Sequence, residues 1–217
     1  MSLLQKSKNR RPGLVVLSNV PRPDRVHVLK RLADEIPEIE VHSLFFRSGW
    51  DFNWTVTMPE EINPVDLSIG RDISSKWWGN PFRDWLKGRK VIAYCNANNV
   101  HAVIFNGYSS LVAIRTIMWC RRKGVAAFIR SDSNIKCERY VAGLMKWLKK
   151  KLVTWFVDRC NGVMPMGEYG YEYYAQYGAT RDRIFWSPSI PDYQMFSDVS
   201  ADDIDAFKKK YRLSHKK

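Results

Sequence analysis

The chain has 217 residues, of which 45% are hydrophobic and 13% aromatic, enough to bury the core of one substantial domain. Its formal net charge of +13 favours an anionic partner: nucleic acid, acidic lipid or a phosphate-bearing substrate. No stretch approaches the roughly 18 apolar residues of a membrane span, and the basic N-terminus has no apolar signal-peptide core, so we expect a cytoplasmic protein.

The first part of the chain predicts a β-α-β unit after a basic lead-in, residues 1–12. Leu14–Leu17 reads as a strand, and Asp24 is in place to cap the helix that Pro37 ends. Val41–Phe46 reads as the second strand. We expect one domain over residues 13–197 and a helical tail over residues 198–217. The buried stripe of the first helix is expected to be Val26, Leu29, Leu32, Ala33 and Ile36.

The segment 47–89 is irregular and rich in tryptophan and proline. Its tryptophans fit either of two roles: packing a long loop onto the domain, or forming an aromatic platform for a sugar or lipid. An edge strand is expected near Trp54–Met58 and a helix near Pro81–Leu86. A further helix is expected over Leu86–Asn99, before the next strand.

The centre of the chain, Val100–Asn134, predicts strand, helix, strand. Val103–Phe105 is a short apolar run that suits a buried strand. Ser109 or Ser110 can cap the helix, Gly124 can end it, and Val125–Ile129 is the second strand. A unit of this length is a right-handed crossover in a parallel sheet, whose ligands bind beyond the carboxyl ends of the strands.

The most amphipathic stretch is Cys137–Arg159, predicted as one helix. Its apolar stripe fits packing on the sheet. A lysine-rich face flanked by tryptophans also suits an interfacial helix on an anionic membrane. The candidate membrane residues are Lys146, Trp147, Lys149, Lys150 and Trp155.

The last part predicts a strand over Cys160–Met166, a helix over Glu168–Tyr177 and a strand over Arg183–Trp186. A tail helix begins after Ser200 as its cap. The four cysteines are widely spaced, so we expect free thiols, and the histidines show no ligand spacing, so we expect no metal site.

The order of these features resembles the end of the N-terminal domain of family-four glycosyltransferases. The resemblance covers about residues 14–213, and it depends on order and spacing rather than on one motif. Phe128–Ser133 resembles a strand end in one bacterial branch of that family. The other motifs are Gly162–Gly167, Tyr173-Tyr174, Tyr177-Gly178, Arg181–Ile184, Pro188 and Asp192 through Phe196.

The resemblance implies a Rossmann-like parallel sheet flanked by helices, one half of the two-domain GT-B fold. In that family the N-terminal domain binds the acceptor, and the C-terminal domain binds a nucleotide-sugar through two glutamates. No glutamate follows Glu172 here, so we expect an acceptor half that needs a donor-binding domain in cis or trans, uses no other cofactor and has no turnover alone. The resemblance implies that the complete two-domain enzyme catalyses retaining glycosyl transfer in bacterial polysaccharide or glycolipid synthesis.

Candidate site residues follow from strand ends and from the family. Asp132 is the candidate catalytic carboxylate, orienting an acceptor hydroxyl or stabilising a positively charged sugar; it can equally cap the next turn. Arg130 can bind phosphate or pair with Asp132. Gly107 can equally have only the structural role of forming its turn, and Glu168 can equally do no more than stabilise the start of a helix. The candidate acceptor-binding residues are Asn106, Gly107, Tyr108, Arg130, Gly167 and Glu168.

The turn after the first strand departs from the family, which often has glycine there. Asn19-Val20-Pro21-Arg22-Pro23 contains none, so charge is expected to replace close backbone approach to a phosphate. The candidate phosphate-binding residues are Asn19, Arg22 and Arg25.

Two other functions also suit a chain of this composition. One is a non-catalytic module that binds an anionic membrane, peripheral on the inner membrane face. The other is nucleic-acid binding, which the dispersed basic residues and the lack of a recognised motif disfavour, so we expect no specific nucleic-acid partner.

Overall fold

A computed structural model describes residues 11–46, 56–69, 81–108, 110–140, 143–211 and 213. Its strands form a single sheet in which every paired strand runs parallel to its neighbour. The strands are β1 (Gly13–Ser18), β2 (Glu40–Phe45), β3 (Val65–Asp66), β4 (Val100–Asn106), β5 (Ala126–Ser131) and β6 (Gly162–Pro165).

Helices connect these strands and cover the sheet. They are α1 (Pro23–Glu35), α2 (Pro81–Ala97), α3 (Leu111–Lys123), α4 (Gly143–Arg159), α5 (Glu168–Gln176), α6 (Tyr193–Ser197) and α7 (Ala201–Lys210). Short 3-10 turns lie at Glu60–Ile62, Ile135–Tyr140 and Arg181–Arg183. No helix among the described residues is long and apolar enough to cross a bilayer.

The strand order is β3-β2-β1-β4-β5-β6, the doubly wound arrangement of a Rossmann-like domain. The predicted fold class is therefore confirmed. The winding reverses between β1 and β4, and such a switch point opens a crevice at the carboxyl ends of the strands. The fold thus directs attention to the residues that follow β1, β4 and β5.

The central unit forms as its sequence predicts. Ser110 caps α3, its hydroxyl accepting from the Ala113 amide at 3.2 Å, and Gly124 ends the helix in the left-handed conformation at φ 69°. Arg121, Arg122 and Lys123 lie in the last turn, where the helix dipole favours cations. Asn106 pairs with Arg130 at the carboxyl end of β4 and β5, so these two side chains belong to one edge.

Buried apolar residues lie on both faces of the sheet. The larger cluster includes Val91, Ile117, Phe156 and Tyr173 under α2 to α5. The smaller cluster packs α1 and the Glu60–Ile62 turn onto the other face, with Val16, Val26, Leu29, Val41 and Ile62. Each fully buried side chain of this kind contributes about 1.5–3 kcal/mol relative to exposure. Ile36, expected in the stripe of α1, is instead 42% exposed because the helix ends at Glu35.

Three predicted boundaries at the start of the chain and its first insertion are corrected. Asp24 does not cap α1, because Pro23 already opens the helix and places Asp24 in its first turn. Of the edge strand expected at Trp54–Met58, residues 54 and 55 lie outside the described residues and 56–58 are not a strand; the edge strand is β3. The two helices expected between Pro81 and Asn99 are the single helix α2.

Two predicted elements after β5 are also corrected. The helix expected over Cys137–Arg159 is a 3-10 turn, Ile135–Tyr140, followed by α4, which begins only at Gly143. The strand expected over Arg183–Trp186 is reduced to one bridge, Ile184 with Val163, although its backbone still bonds along β6. The tail helix is confirmed as α7, with the Ser200 hydroxyl accepting from the Asp203 amide at 3.1 Å.

The four cysteines are free, as expected. Cys95, Cys120 and Cys160 are buried, and burial raises the pKa of Cys95 and of Cys120 to about 12, so both remain protonated thiols. These cysteines therefore act as small apolar residues of the core.

A buried histidine makes stability depend on pH. His42 is 2% exposed, and its Nδ1 lies 3.0 Å from the Tyr94 hydroxyl. Burial lowers the pKa of His42, and Glu40 offsets this only in part. The unfolded chain takes up a proton below about pH 6.5 while the folded chain resists it, so the free energy of unfolding should fall as the pH drops below about 6.5.

Urea titrations between pH 7 and pH 5 should therefore show a smaller loss of stability in His42→Gln than in the parent. His101→Asn, at an exposed histidine, should keep the parental slope and serves as the control. Parallel curves for the parent and His42→Gln would contradict this account.

Candidate functional site

The carboxyl edge of the sheet gathers most of the predicted site residues. Asn19 follows β1, Asn106-Gly107-Tyr108 closes β4, and Arg130 and Asp132 close β5. Gly167 follows β6, and α1 begins beside the end of β1 with Arg22 as its N-cap residue. We call this edge the rim. The membrane residues predicted on α4 are a separate group.

Asn106 fastens two strand ends together. Its Nδ2 donates to the Leu17 carbonyl at 3.1 Å and lies 2.9 Å from the Ser18 hydroxyl. Its Oδ1 is buried without a hydrogen-bond partner in the described part of the chain. The amide therefore spans the switch point from β4 to β1, and only its oxygen is left for another group.

Gly107 and Tyr108 have different surroundings. Gly107 has φ 96°, a conformation that favours glycine, and its amide donates to the Arg130 carbonyl at 2.9 Å. The Tyr108 hydroxyl lies 2.6 Å from that of Tyr173, and its ring packs against Phe156. Burial raises the pKa of Tyr173 far above its usual range, so the Tyr173 phenol stays protonated in this pair. Tyr108 is directed into the domain, and its acceptor role stays a prediction.

A segment that sequence reasoning missed lies across the rim. Residues 187–192, which we call the strap, follow the extended chain beside β6. The Arg130 guanidinium donates to the Ser187 hydroxyl at 2.9 Å and to the Pro188 carbonyl at 3.4 Å. The Ser189 hydroxyl donates to Asp24 at 2.9 Å, and Asp192 lies 3.5 Å from His27. The strap thus ties β5 to the start of α1, a link between residues too distant in sequence for any local motif to reveal.

The predicted pairing of Arg130 with Asp132 is therefore corrected. Arg130 is half-buried and bonded to the strap, and no hydrogen bond or ion pair joins it to Asp132 among the described residues. The two charges still interact through space. Burial lowers the pKa of Arg130, and the carboxylates of Asp24 and Asp132 counteract that lowering only in part.

Asp132 is exposed at the end of β5. The alternative role, capping the turn that follows, is taken by its neighbour: the Ser131 hydroxyl accepts from the Ser133 amide at 2.9 Å. Within the described residues the Asp132 carboxylate accepts no hydrogen bond. It is therefore a charged group at the rim with its lone pairs available to a ligand.

Arginines give the rim its charge. Arg22 donates to both oxygens of Asp24, at 3.0 and 3.2 Å. Burial alone would raise the pKa of Asp24, but the hydrogen bond from Ser189 and the charge of Arg22 outweigh it, and the pKa is lowered. Arg25 is half-buried nearby. Burial, followed by repulsion from Arg22 and Arg130, lowers the pKa of Arg25.

Gly167 and Glu168 lie at the rim after β6. Gly167 is the N-cap residue of α5, and its carbonyl accepts from the amides of Gly170 and Tyr171. Glu168 is exposed in the first turn of α5, where the helix dipole favours an acidic residue. This placement suits a role in acceptor binding and equally suits a purely structural role at the start of α5.

The predicted membrane residues divide into two sets. Lys149 is directed inward to Glu138 at 2.5 Å, and Glu138 also accepts from the Tyr177 hydroxyl at 2.9 Å. The first half of α4 is uncovered: the apolar side chains exposed there are Leu144 (70%), Met145 (50%), Trp147 (55%) and Leu148 (45%). Lys146, Lys150 and Lys151 are exposed beside them, whereas Trp155 is half-buried under Arg159. We call this exposed half the α4 surface.

A metal site was not expected from the sequence. In the described ranges, no group of three or more His, Cys, Asp or Glu side chains is arranged to hold a metal ion.

No protein-family profile and no curated protein sequence matches the chain, but solved structures share its fold. A UDP-N-acetylglucosamine 2-epimerase from Rickettsia bellii superposes with a TM-score of 0.52 at 14% identity, covering 95% of this chain and 50% of the epimerase. A glycosyltransferase from Rickettsia africae ESF-5 gives 0.53 at 11% identity, covering 94% and 50%. A UDP-glucosyltransferase from Polygonum tinctorium gives 0.50 at 11%, covering 88% and 55%.

These likenesses concern the fold, because their sequence identities are low. The chain spans about half the length of these proteins and has the architecture of one half of the GT-B fold. The domain therefore shares its fold with one half of each of these proteins. Because an epimerase shares the architecture, this fold is common to more than one reaction.

The two side-chain hydrogen bonds of Asn106 should contribute measurably to the stability of the fold. Asn106→Ala should lower the free energy of unfolding by about 1–3 kcal/mol, because two net hydrogen bonds of about 0.5–1.5 kcal/mol each are lost. Asn19→Ala, at an exposed rim residue, should change it by less than about 0.5 kcal/mol. Equal effects of the two substitutions in urea denaturation would contradict the role of Asn106 as a tie.

Proposed function

We propose that this chain is the acceptor-binding N-terminal half of a retaining glycosyltransferase that uses a nucleotide-sugar donor. The donor-binding half belongs to the same protein or to a partner. The acceptor is a sugar or a lipid-linked sugar, and the process is bacterial polysaccharide or glycolipid synthesis. The family-like order of motifs supports this assignment, and so does the GT-B architecture of the domain.

The observation that carries the proposal is the exposed carboxylate of Asp132 beside the arginines of the rim. A carboxylate free of internal hydrogen bonds, at the carboxyl end of a strand next to the switch point, can accept a hydrogen bond from an acceptor hydroxyl. It can also stabilise the positive charge of an oxocarbenium-like sugar as the bond to the departing nucleotide breaks. The arginines would offset the negative charge of that leaving group.

The test measures sugar transfer from a panel of nucleotide-sugars to lipid and polysaccharide acceptors. The chain is assayed together with a donor-binding domain. Asp132→Asn should lower kcat by about 100-fold, since a positioned acid or base contributes roughly 10²–10⁴-fold, with little change in KM for the donor. Asp34→Asn, an exposed carboxylate on α1, is the matched control and should retain parental activity. Full activity in Asp132→Asn would remove this residue from the mechanism, and no transfer from any donor would reject the function.

A second candidate function is a peripheral module that binds anionic membranes, with or without sugar transfer. The α4 surface favours it, because exposed Leu144, Trp147 and Leu148 lie beside exposed lysines. Rings and aliphatic groups of this kind insert at the headgroup level while lysines attract acidic lipid, each contributing about 1 kcal/mol near the surface. Lys149 is left out of this account because Glu138 neutralises it.

Vesicle co-sedimentation distinguishes the membrane role from simple solvation of α4. Lys146→Glu combined with Lys150→Glu should weaken binding to anionic vesicles at least tenfold at low salt. The control, Arg122→Glu combined with Lys123→Glu, reverses two exposed charges at the end of α3 and should have less effect. No binding of the parent at low salt, or equal loss in both pairs, would reject a membrane role for α4.

A further inference from the structure

A chain of hydroxyl groups joins the turn that carries Asp132 to the interior of the domain. Asp132 lies between two serines that bond each other: the Ser131 hydroxyl donates to that of Ser133 at 2.7 Å and accepts from the Ser133 amide at 2.9 Å. The Ser133 hydroxyl in turn lies 3.4 Å from that of Tyr108. Since the Asp132 carboxylate accepts no hydrogen bond from the described residues, its position depends on the turn that holds it.

Tyr108 is itself held firmly at the inner end of this contact. Its hydroxyl lies 2.6 Å from that of Tyr173, and its ring packs against Phe156 with centroids 6.1 Å apart. Both Tyr173 and Phe156 are fully buried. A short bond between two phenols and a contact with a buried ring leave Tyr108 little freedom to move. Its hydroxyl is therefore a fixed point against which the turn 131–133 rests.

Behind Tyr173 the polar groups continue to a buried carboxylate. The Tyr173 ring meets that of Tyr177 edge-on, with centroids 4.9 Å apart, and the Tyr177 hydroxyl donates to Glu138 at 2.9 Å. Glu138 is 9% exposed and is paired with Lys149 at 2.5 Å. Buried polar groups that are satisfied in this way make their surroundings rigid. The tyrosines behind the turn are thus part of a fixed framework.

We propose that Tyr108 is a positioning residue, which acts through Ser133 to fix the turn that presents Asp132 at the rim. The inference depends on the proposed function for the role of Asp132, and it gives Tyr108 a positioning role in place of the predicted acceptor contact. A phenol has one proton to donate, and the Tyr108 hydroxyl already faces Tyr173 and Ser133 inside the domain. A reacting group has to be held within about 0.5 Å by supporting residues of this kind.

A purely structural role for the Tyr108 hydroxyl has a different consequence. If it only stabilises the core, its loss accelerates hydrogen exchange of core amides, which open by global unfolding, and leaves amides that open locally unchanged. If it positions the turn, its loss accelerates exchange of the Ser133 amide, because the bond of that amide to the Ser131 hydroxyl depends on the conformation of the turn. The two roles can therefore be separated without any assay of catalysis.

Hydrogen exchange of the full chain, followed amide by amide by NMR, tests the contact. Tyr108→Phe keeps the ring and removes the hydroxyl, and it should accelerate exchange of the Ser133 amide about fivefold, as expected for the loss of one net hydrogen bond. Tyr94→Phe is the matched control, because it removes another phenol that bonds a buried residue, His42, away from the rim. It should accelerate core amides and leave the Ser133 amide at the parental rate. Circular dichroism melts show whether each variant is folded.

Sugar transfer, measured with a donor-binding domain present, tests the consequence for Asp132. Tyr108→Phe should lower kcat about tenfold with little change in KM for the donor, because misplacement of a reacting group affects the chemical step. Tyr94→Phe should keep the parental kcat. Ser133→Ala should lower kcat as well, and combining it with Tyr108→Phe should add little, since the two residues act through one chain of contacts.

Four results would overturn the proposal: unchanged exchange at Ser133 in a folded Tyr108→Phe, equal acceleration there in both tyrosine variants, parental kcat in Tyr108→Phe, or fully additive losses with Ser133→Ala. Faster exchange at Ser133 in a protein that transfers no sugar would support the positioning of the turn by Tyr108 while rejecting the proposed transferase. Transfer that depends on Asp132 but not on Tyr108 would support the transferase and reject the positioning role.

Discussion

The parallel pairing of β1 with β4 decides where the rim lies. Parallel strands place all their carboxyl ends at one edge, and the reversal of winding at this pair leaves that edge uncovered by connecting helices. Asn106 fastens the pair at its open end through the Leu17 carbonyl and the Ser18 hydroxyl. Polar residues distant in sequence thereby become neighbours at the rim.

The strap joins charged residues of that edge that belong to different elements. Ser187 and Ser189 bond an arginine from β5 and an aspartate from α1, so the segment leading to α6 and α7 is coupled to the rim.

The α4 surface illustrates how one helix can serve two purposes. Its second half is core, since Val153, Phe156 and Val157 are fully buried. Its first half exposes Leu144, Trp147 and neighbouring lysines, a combination that a packed helix does not require. The division falls near Lys149, which the sequence grouped with Lys146 and Lys150 but which pairs with Glu138 in the structure.

Sequence alone predicts the alternation of strands and helices, the cap at Ser110, the left-handed stop at Gly124 and the tail helix after Ser200, because periodicity and capping are local properties. It also placed Asp132, Arg130 and Asn106 at strand ends. It failed where a boundary depends on distant contacts: the Arg183–Trp186 segment has strand composition, but it forms only a single bridge to β6. The contacts of Tyr108 with Tyr173, of Arg130 with Ser187 and of Ser189 with Asp24 appear only in the folded chain, because they join residues between 57 and 165 positions apart.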